Sequence, residues 1–506
     1  MTASGQLLYE EIAMDKIFAQ GQKLMDSHGR ERIFNGLDLC DKGVYRQEKG
    51  RRVYCNQWKK GMGKTLRDAG ISLVRLGLIW DAVEPEMGSY DDAFLQYIRD
   101  ILDECAAEEI YVYLDMHQDL YSGFGDGPGD GAPAWATLTG KYTYSKPKFV
   151  WAEGYFWGKA VHRAFDNFWG NAVLCGKGIQ DRYIDMWVYV VEKLGSHPAV
   201  IGFDVMNEPF PGSAGGKVFK KLIANLVKTT VTDSAVSKTE LVRRALRREE
   251  RPKVLDLYDG EILRKITAAA DDIIRRFDTE KYAPFLNRIT KAIRSTGCDK
   301  IIVMENSYYS NLGIPYACPA PAVDGKRDGN AVFAPHAYDF MVDTPQYKYA
   351  SNERIQAIFD EHKRSQQRLD VPVIVGEWGG FAEGNEWFHH VKFLLRLFDA
   401  NRWSQTYWAY FEGLLESELF REVLVRPYPM AVSGTIERYC HDREADTFTL
   451  IYSQDREYDA PTEIFLHKSP SAIETDGRYA LSPRGGDAAV LQLKTGVGQH
   501  SVTVRF

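Results

Sequence analysis

The stretch IGFDVMNEPFPG, Ile201 to Gly212, decides the fold of this chain. It begins as a run of apolar, β-forming residues and stops abruptly at Asn207-Glu208, with Pro209 directly after them. Because proline cannot continue a sheet ladder, it turns the backbone away at once. The pattern therefore predicts a buried strand whose carboxyl end projects an amide and a carboxylate into a cleft.

Seven other β-rich runs resemble this one, and helix-like segments with apolar residues at three- and four-residue spacing separate them. With residues 200–209 they make eight: 31–39, 70–80, 109–119, 299–306, 331–339, 371–378 and 404–411. Near-continuous apolar strands that alternate with helices are typical of parallel strands buried on both faces. Eight such units predict an α/β fold, a (β/α)8 TIM barrel, with a doubly wound open sheet as the structural alternative.

After about residue 426 the pattern changes. Segments such as TFTLIYS, TEIFLHK and HSVTVRF alternate apolar and polar residues, and Gly, Pro, Asp and Ser separate them. This period of two predicts an antiparallel β-sandwich. We therefore divide the chain into a catalytic barrel over residues 1–425 and a β-sandwich domain over 426–506. The segment 212–281 is too long for an ordinary loop and is expected to be a helical insertion in the barrel.

Composition and charge exclude several classes of protein. The formal net charge of −7 comes from 63 basic and 70 acidic residues spread along the chain, so no nucleic-acid partner is indicated. The first thirty residues never run apolar for long, and no window reaches membrane-spanning length. A cytoplasmic protein is expected, and the oligomeric state stays open.

The cysteines and histidines show no metal-ligand spacing. There is no C-x-x-C pair and no H-E-x-x-H motif, so we expect neither a metal nor a cofactor. Reduced, mostly buried thiols are expected at Cys40, Cys55, Cys105, Cys175, Cys298, Cys318 and Cys440.

Polar side chains end six of the eight predicted strands, and the carboxyl ends of barrel strands build the active site in this fold. They are Arg75, Asp115, His117, Asn207, Glu208, His336, Tyr338, Glu377 and Trp408. Glu208 and Glu377 end the fourth and seventh strands, on facing walls. Paired carboxylates across a cleft are suited to glycoside hydrolysis, with retention at a separation of about 5–5.5 Å and inversion at about 6.5–9.5 Å. A lone glutamate at a strand end is ordinarily a solvated loop residue, but two such motifs together favour the catalytic interpretation.

The motifs VMNEP, GEW, RLG, DMHQD and PHAY resemble glycoside hydrolase family 5. More narrowly, LDMHQDLYS, GDGAPAWA, VMNEPFPGS and RPYPMAVSGT resemble its endoglycoceramidase branch, over roughly residues 31–506 apart from much of 212–281. The resemblance implies a retaining hydrolase that cleaves a sugar or glycan from a ceramide in a glycolipid substrate. It implies Glu208 as the acid/base and Glu377 as the nucleophile.

The resemblance also implies further roles. Asn207 would hold the sugar 2-hydroxyl, and Tyr338 would hydrogen-bond the nucleophile, with His336 on the same wall. Trp408 would form the floor under the reacting sugar, since the C–H face of a sugar packs on an aromatic plane. Arg75 is expected to be the counter-charge that orients the nucleophile. Contacts to sugar hydroxyls are carried over to Lys42, Asp115 and His117.

No export signal is expected from the first thirty residues, whereas family members that act outside the cell carry one, and the insertion is unusually long and charged for the family. Two alternatives therefore stay open. One is an intracellular β-glucosidase or β-galactosidase that acts on another hydrophobic aglycone, such as a sterol, a phenolic or simple glucosylceramide. The other, from a different class, is a catalytically idle barrel that only binds sugar.

A ceramide leaving group needs an apolar slot beside the sugar pocket. The loop after the third strand and the insertion are expected to form it. One helical face of the insertion also suits peripheral contact with a membrane or micelle surface, because lysines flank it; packing on the barrel is the alternative. This face consists of Val218, Phe219, Leu222, Ile223 and Leu226.

Overall fold

The eight apolar runs form one closed barrel of parallel strands in the computed structural model, which describes residues 14–54, 58–148, 150–342, 344 and 346–506. Residues 1–13 and Cys55 lie outside the described residues. We number the barrel strands 1 to 8: Asn35–Cys40, Leu73–Ile79, Tyr111–His117, Val200–Asp204, Ile301–Glu305, Ala331–Ala334, Ile374–Val375 and Ser404–Tyr407. Parallel bridges from Phe333 to Val373 and from His336 to Glu377 join strands 6 and 7. The predicted TIM barrel is confirmed, and the open sheet is excluded.

The strands are buried on both faces, as their continuous apolar sequences predict. Every residue of strands 2 and 3 is buried. Helices cover the outside of the barrel, and Asp92–Ala107 shows how they form. The side chain of Asp91 caps the first turn by accepting hydrogen bonds from the backbone N–H groups of Ala93 and Phe94. The buried face of this helix then recurs at three- and four-residue spacing through Leu95, Ile98, Ile101, Leu102 and Cys105.

The remaining α-helices of the barrel, outside the insertion, are Met62–Asp68, Trp80–Val83, Glu153–Trp157, Lys159–Trp169, Ile179–Leu194, Ala283–Ser295, Asn352–Leu369 and Phe388–Asn401. In the described part of its loops there are three short hairpins: Val44–Arg46 with Arg51–Val53, Val173–Leu174 with Lys177–Gly178, and Ala322–Val323 with Lys326–Arg327. Among the described residues, no helix is both long enough and apolar enough to cross a membrane.

The insertion after strand 4 is helical. Its α-helices are Ser213–Thr232, Lys238–Leu246, Gly260–Thr267 and Asp271–Phe277, and shorter helical turns occupy Arg251–Leu257, Ala268–Ala270 and Asp278–Tyr282. It has a small core of its own around Val236, Tyr258, Ile262 and Ile266.

The first insertion helix buries most of the face that was expected to meet lipid. Val218 and Leu222 are buried, and Phe219 stacks on Phe156 with ring centroids 4.5 Å apart. Leu226 packs against the core of the insertion. Of the five named residues only Ile223 is exposed, so the expectation was wrong for the other four. The reason is that two apolar stripes lie side by side on this helix, and spacing alone does not tell which one packs inward.

Two antiparallel sheets form the C-terminal domain, which confirms the predicted fold class. One has four strands, Thr435–Asp442, Thr447–Gln454, Ala472–Thr475 and Gly498–Arg505. The other contains Tyr428–Val432, Thr462–Leu466, Arg478–Pro483 and Ala489–Lys494. Three strands from the start of the chain extend this second sheet: Ile17–Gln20, Lys23–Asp26 and Glu31–Arg32. Residues 17–32, which the sequence division counts with the barrel, thus pair with the sheet of the β-domain through Tyr428–Val432.

A buried ion pair ties the start of the β-domain to the barrel. Arg426 binds both carboxylate oxygens of Asp399, at 2.6 and 2.7 Å, and the two side chains are 3% and 5% exposed. Asp399 belongs to the barrel helix Phe388–Asn401. The two parallel hydrogen bonds offset the free-energy cost of removing both charged groups from water. If one group is removed, the other stays buried without its partner.

We expect Arg426→Ala to lower the free energy of unfolding by about 3–5 kcal/mol, because it leaves the Asp399 carboxylate buried and unpaired. Arg484→Ala is the control, since Arg484 pairs with an exposed glutamate, Glu109, and its loss should cost at most about 1 kcal/mol. Urea denaturation measures both, and the double variant Arg426→Met with Asp399→Leu should recover most of the loss. Equal losses in the two single variants would contradict this account.

Candidate active site

The guanidinium of Arg75, in strand 2, lies at the centre of the site and is completely buried. It donates to an oxygen of Asn207 at 2.9 Å. Its nitrogens also lie 2.8–3.4 Å from carboxylate oxygens on five other strands and strand ends, those of Asp38, Asp115, Asp204, Glu305 and Glu377. A single cation thus holds together side chains from strands that are distant in sequence.

Five carboxylates around one arginine cannot all be ionised in a dry interior at neutral pH. Burial raises the pKa of Asp38 to about 7, with Arg75 opposing the rise and Glu377 adding to it. Burial together with Glu305 raises the pKa of Asp204 well above its usual range. Both shifts favour the protonated carboxyls, and Asp38 keeps its proton through much of the range below pH 7, which relieves the excess of negative charge beneath the site.

Glu377 stands just beyond the end of strand 7 and is held by both oxygens. Oε1 accepts a hydrogen bond from Arg75 at 2.8 Å, and Oε2 accepts one from the hydroxyl of Tyr338 at 2.9 Å. Two donors on opposite oxygens fix the rotation of the carboxylate.

Glu208, on the opposite wall, has a backbone φ of 40°, in the left-handed region that non-glycine residues seldom adopt. Its backbone N–H donates to an oxygen of Glu305 at 2.6 Å, which holds this conformation. The side-chain Oε1 accepts hydrogen bonds from Asn311 at 2.5 Å and from His336 at 3.2 Å. Burial raises the pKa of Glu208, and the neighbouring Glu377 raises it further, while His336 acts in the opposite direction.

The carboxylates of Glu208 and Glu377 lie close to each other in the cavity. An oxygen of Glu208, an oxygen of Glu377 and a ring nitrogen of His336 all lie within 4.8 Å of one another. This oxygen–oxygen distance is shorter than the carboxyl separation of about 6.5–9.5 Å that leaves room for a water between two carboxylates. Although burial opposes it, the carboxylates of Glu305 and Glu377 raise the pKa of His336 well above its usual value, so the imidazole is a cation beneath the pair.

A second cluster lies beside the glutamates at the ends of strands 1, 3 and 8. The ring of His117 lies parallel to that of Trp408, with centroids 5.2 Å apart, and Lys42 is 4.8 Å from the Trp408 centroid. Lys42 forms an ion pair with Asp119 and lowers the pKa of that carboxyl to about 2 although burial opposes the change. Asp115 accepts from His117 Nδ1 at 2.9 Å. Aromatic planes flanked by charged hydrogen-bonding groups are suited to a sugar ring.

One cavity of about 550 Å³ joins the two clusters. Its polar lining includes Lys42, His117, Asp119, Asn207, Glu208, Tyr338, Glu377 and Trp408. An apolar wall completes it, contributed by the loops after strands 3, 5 and 6: Val150, Trp151, Ala152, Phe156, Leu312, Phe340 and Val342. The cavity that contains the two glutamates is thus lined by both polar and apolar side chains.

Ten predicted site residues come together here, but not all of them reach the cavity. Seven line it, whereas Arg75, Asp115 and His336 lie beneath its surface and act on the residues that do. The insertion, all of which the structure describes, contributes no lining residue, so the expectation that it forms the slot was wrong. It supports the wall from behind, through the stacking of Phe219 on Phe156.

Sequence reasoning missed several residues of the site. Glu305 ends strand 5 and binds both Arg75 and the backbone of Glu208, and the strand-end rule applied to IIVMEN would have found it. Asp38 inside strand 1 carried the same signal as a charged residue in an apolar run. Asn311 lies in a 3₁₀ turn after strand 5, and no local pattern pointed to it. Asp119, two residues after His117, is not among the predicted site residues, yet it lines the cavity.

The carboxylates and imidazoles of the barrel form three clusters with metal-like spacing, but each already contains its cation. They are Glu208–His336–Glu377, His117–Asp119–Asp130 and Asp115–Asp204–Glu305. Arg75, Lys42 and the protonated His336 supply the positive charge in these clusters.

Two family models match the chain. The cellulase model (glycosyl hydrolase family 5) matches residues 25–248 and 261–412, and the glycoside hydrolase family 5 C-terminal domain matches residues 426–504. Endoglycoceramidase I of Rhodococcus hoagii is 23% identical over 499 residues, which cover 96% of this chain and 85% of that protein.

Two further comparisons bear on the same region. An endoglycoceramidase of Cyanea nozakii is 31% identical over 212 residues, 38% of this chain and only 41% of the relative, so the match spans less than half of that protein. The solved structure of endo-glycoceramidase II from Rhodococcus sp. in complex with ganglioside GM3 has a TM-score of 0.71 at 23% identity. It covers 96% of this chain and 99% of that one. The likeness extends over both domains and shows a shared fold.

We expect the raised pKa of Asp38 to make the protein less stable as pH rises through the range of about 4 to 7. An unfolded aspartate with a pKa near 3.9 has lost its proton there while the folded one keeps it, so the unfolded state binds fewer protons and stability falls with pH. Asp38→Asn should flatten this slope, measured as the thermal midpoint between pH 4.5 and 8. The exposed Asp459→Asn is the control and should leave the slope unchanged. A parental slope that persists in Asp38→Asn would contradict the assignment.

Proposed function

This chain belongs to glycosyl hydrolase family 5, and from that premise we propose that it hydrolyses the β-glycosidic bond between a sugar or glycan and ceramide, with retention of configuration. The observation that carries the proposal is the approach of an oxygen of Glu208 to within 4.8 Å of an oxygen of Glu377, in a cavity that both polar and apolar side chains line. Relatives and a structural neighbour that are named endoglycoceramidases support the choice of substrate class.

In the first step of the proposed reaction, Glu377 attacks the anomeric carbon and the glycosidic oxygen leaves. The hydrogen bonds from Arg75 and Tyr338 hold the carboxylate so that one oxygen faces the sugar. Asn207, whose Oδ1 accepts from Arg75, is placed to bind the sugar 2-hydroxyl, a contact that strengthens as positive charge develops on the ring. A covalent glycosyl–enzyme intermediate results.

Glu208 acts as the acid in this step and as the base in the next. Burial and the negative charge of Glu377 favour its protonated form before the attack. Once Glu377 is esterified, that charge is gone, the pKa of Glu208 falls, and the carboxylate accepts a proton from the water that releases the sugar. Asn311 and His336 keep the carboxyl pointed at the same oxygen position in both steps.

The polar and the apolar residues of the cavity lining match the two parts of the proposed substrate. The sugar ring stacks on Trp408, and Lys42, His117 and Asp119 bind its hydroxyls. The apolar wall, including Trp151 and Phe156, receives the lipid next to the cleaved bond. Other hydrophobic aglycones, such as a sterol or a phenolic, would also bury apolar surface there. Hydrolysis of glucosylceramide, a ganglioside, a steryl glucoside and an aryl glucoside, measured side by side, separates these substrates.

We expect Glu377→Gln to lower kcat by several powers of ten, because a neutral amide cannot attack the anomeric carbon. Product analysis on defined glycosphingolipids measures the rate and shows whether the glycan leaves intact. Glu386→Gln is the control, since Glu386 is an exposed glutamate paired with Lys348, and it should retain full activity.

The variant Glu377→Gln also separates catalysis from simple binding. An idle sugar-binding barrel would show no hydrolysis in the parent, and binding of lactosylceramide micelles would be the same in parent and variant. Detectable parental turnover that Glu377→Gln leaves within twofold would overturn the assignment of the nucleophile.

We further propose that the insertion brings the cavity to a lipid surface. On the helix Ser213–Thr232, Ile223, Val227 and Val231 recur every four residues and are 46%, 59% and 60% exposed. Trp157, 55% exposed, packs edge-on against Phe219, which stacks on the cavity-lining Phe156. The exposed stripe is thus continuous with the apolar wall. Lysines on the same helix favour anionic head groups: Lys217, Lys220, Lys221 and Lys228.

We expect the triple variant Ile223→Ser, Val227→Ser, Val231→Ser to hydrolyse glycolipid in anionic vesicles at least several-fold more slowly, while a soluble aryl glycoside is cleaved at the parental rate. The difference arises because only the vesicle substrate requires apolar insertion. Val497→Ser is the control, an equally exposed valine in the β-domain. Equal vesicle activity and sedimentation for parent and triple variant would rule the membrane contact out.

A further inference from the structure

Two histidines and an aspartate converge in the β-domain, away from the active site. His441 lies in the strand Thr435–Asp442 of the four-stranded sheet, and His467 directly follows the strand Thr462–Leu466 of the other sheet. Asp446 lies in the turn between Thr435–Asp442 and Thr447–Gln454. One ring nitrogen from each histidine and one oxygen of Asp446 lie within 4.8 Å of one another. The three groups therefore connect the two sheets at one point.

The imidazole of His441 is buried without hydrogen bonds. The residue is 6% exposed, and neither of its ring nitrogens has a partner among the residues that the structure describes. The buried Nδ1 of His467 also has no hydrogen-bond partner among these residues. An unpaired buried polar group costs about 1–3 kcal/mol. By contrast, the buried His117, His336 and His362 each use at least one ring nitrogen.

Both imidazoles are neutral and keep a lone pair at physiological pH. Burial lowers the pKa of His441 to about 3 and that of His467 to about 4. The ring of Phe506 packs at 6.3 Å from His441 and 4.6 Å from His467, which gives the cluster an apolar side. Two neutral imidazole nitrogens and a carboxylate oxygen in such surroundings are a common donor set for a borderline-soft divalent metal.

We propose that His441, Asp446 and His467 bind a divalent transition metal of the zinc type, which joins the two sheets of the β-domain. Tetrahedral coordination at about 2.0–2.1 Å places ligand atoms roughly 3.4 Å apart, so the cluster must contract by at most about 1.4 Å. Small rotations of three side chains supply that movement, and a water completes the fourth position.

Lys468 is the competitor for this site. Its ammonium lies 2.6 Å from Oδ2 of Asp446, and the side chain is 43% exposed, so it can move into solvent when a metal takes its place. Binding is therefore an exchange of a lysine for a metal ion at one carboxylate. This exchange predicts that removal of the lysine charge strengthens metal binding, an effect that a purely structural cluster would not produce.

To test the proposal, the full chain is first freed of metal by chelation and then titrated with zinc chloride alone in a calorimeter. Thermal unfolding is measured at each zinc concentration. We expect one equivalent to bind the parent and to raise the unfolding midpoint, since a ligand that binds only the folded state stabilises it. His467→Ala should weaken binding at least tenfold, and Lys468→Gln should tighten it several-fold. The exposed His389→Ala is the control and should bind as the parent does.

A fourth variant distinguishes the loss of metal binding from a loss of folding stability. His441→Phe should abolish the zinc-dependent shift without lowering the metal-free midpoint, because it removes an unpaired polar group and keeps an aromatic ring in place. Because His467 is only partly buried, His467→Ala decides the matter if His441→Phe does not fold. No one-to-one binding to the parent, or binding that His467→Ala leaves unchanged, would overturn the proposal.

Discussion

A single buried cation, Arg75, is the constraint on which the rest of the site depends. Its guanidinium binds carboxylates from strands 1, 3, 4 and 5 and the carboxylate beyond strand 7, so it fixes how far apart those strand ends lie. Arginine suits this position because its planar fork serves several acceptors at once and keeps its charge when buried. The same charge orients Glu377 and, through Asn207, the end of strand 4. Arg75 thus both balances the buried negative charge beneath the cavity and positions the side chains that line it.

The barrel and the catalytic pair could be predicted from sequence for the same physical reason. A parallel strand buried on both faces requires a near-continuous apolar run, so a polar residue within it or at its end needs a partner or a cleft. Asn207-Glu208 and Glu377 satisfied this rule at two strand ends. Asp38 and Glu305 satisfied it as well, and they were missed only because the rule was applied to motifs and not to every strand.

Other features left no local signal. The last of the N-terminal strands, Glu31–Arg32, pairs with a strand some 400 residues later, and no motif in either strand predicts this pairing. Asn311 reaches Glu208 from a turn whose position depends on the whole barrel. The first insertion helix has two apolar stripes, and only packing against Phe156 decides which one is buried. Neither His441 in its strand nor His467 just after its strand carries a local motif, and the two meet only because two sheets face one another.

The apolar wall has a consequence for the proposed chemistry beyond holding the lipid. In the proposed reaction, a lipid that lies against Trp151 and Phe156 excludes water from the cavity that Glu208 lines, which adds to the burial that raises the pKa of this carboxyl. When the lipid leaves, water enters by the same side and reaches Glu208 after the charge of Glu377 has been removed by esterification. Departure of the aglycone therefore supplies the water that the second step needs, while esterification of Glu377 supplies the change in the pKa of Glu208. Glu208 therefore acts as an acid while the lipid is bound and as a base after the lipid has left.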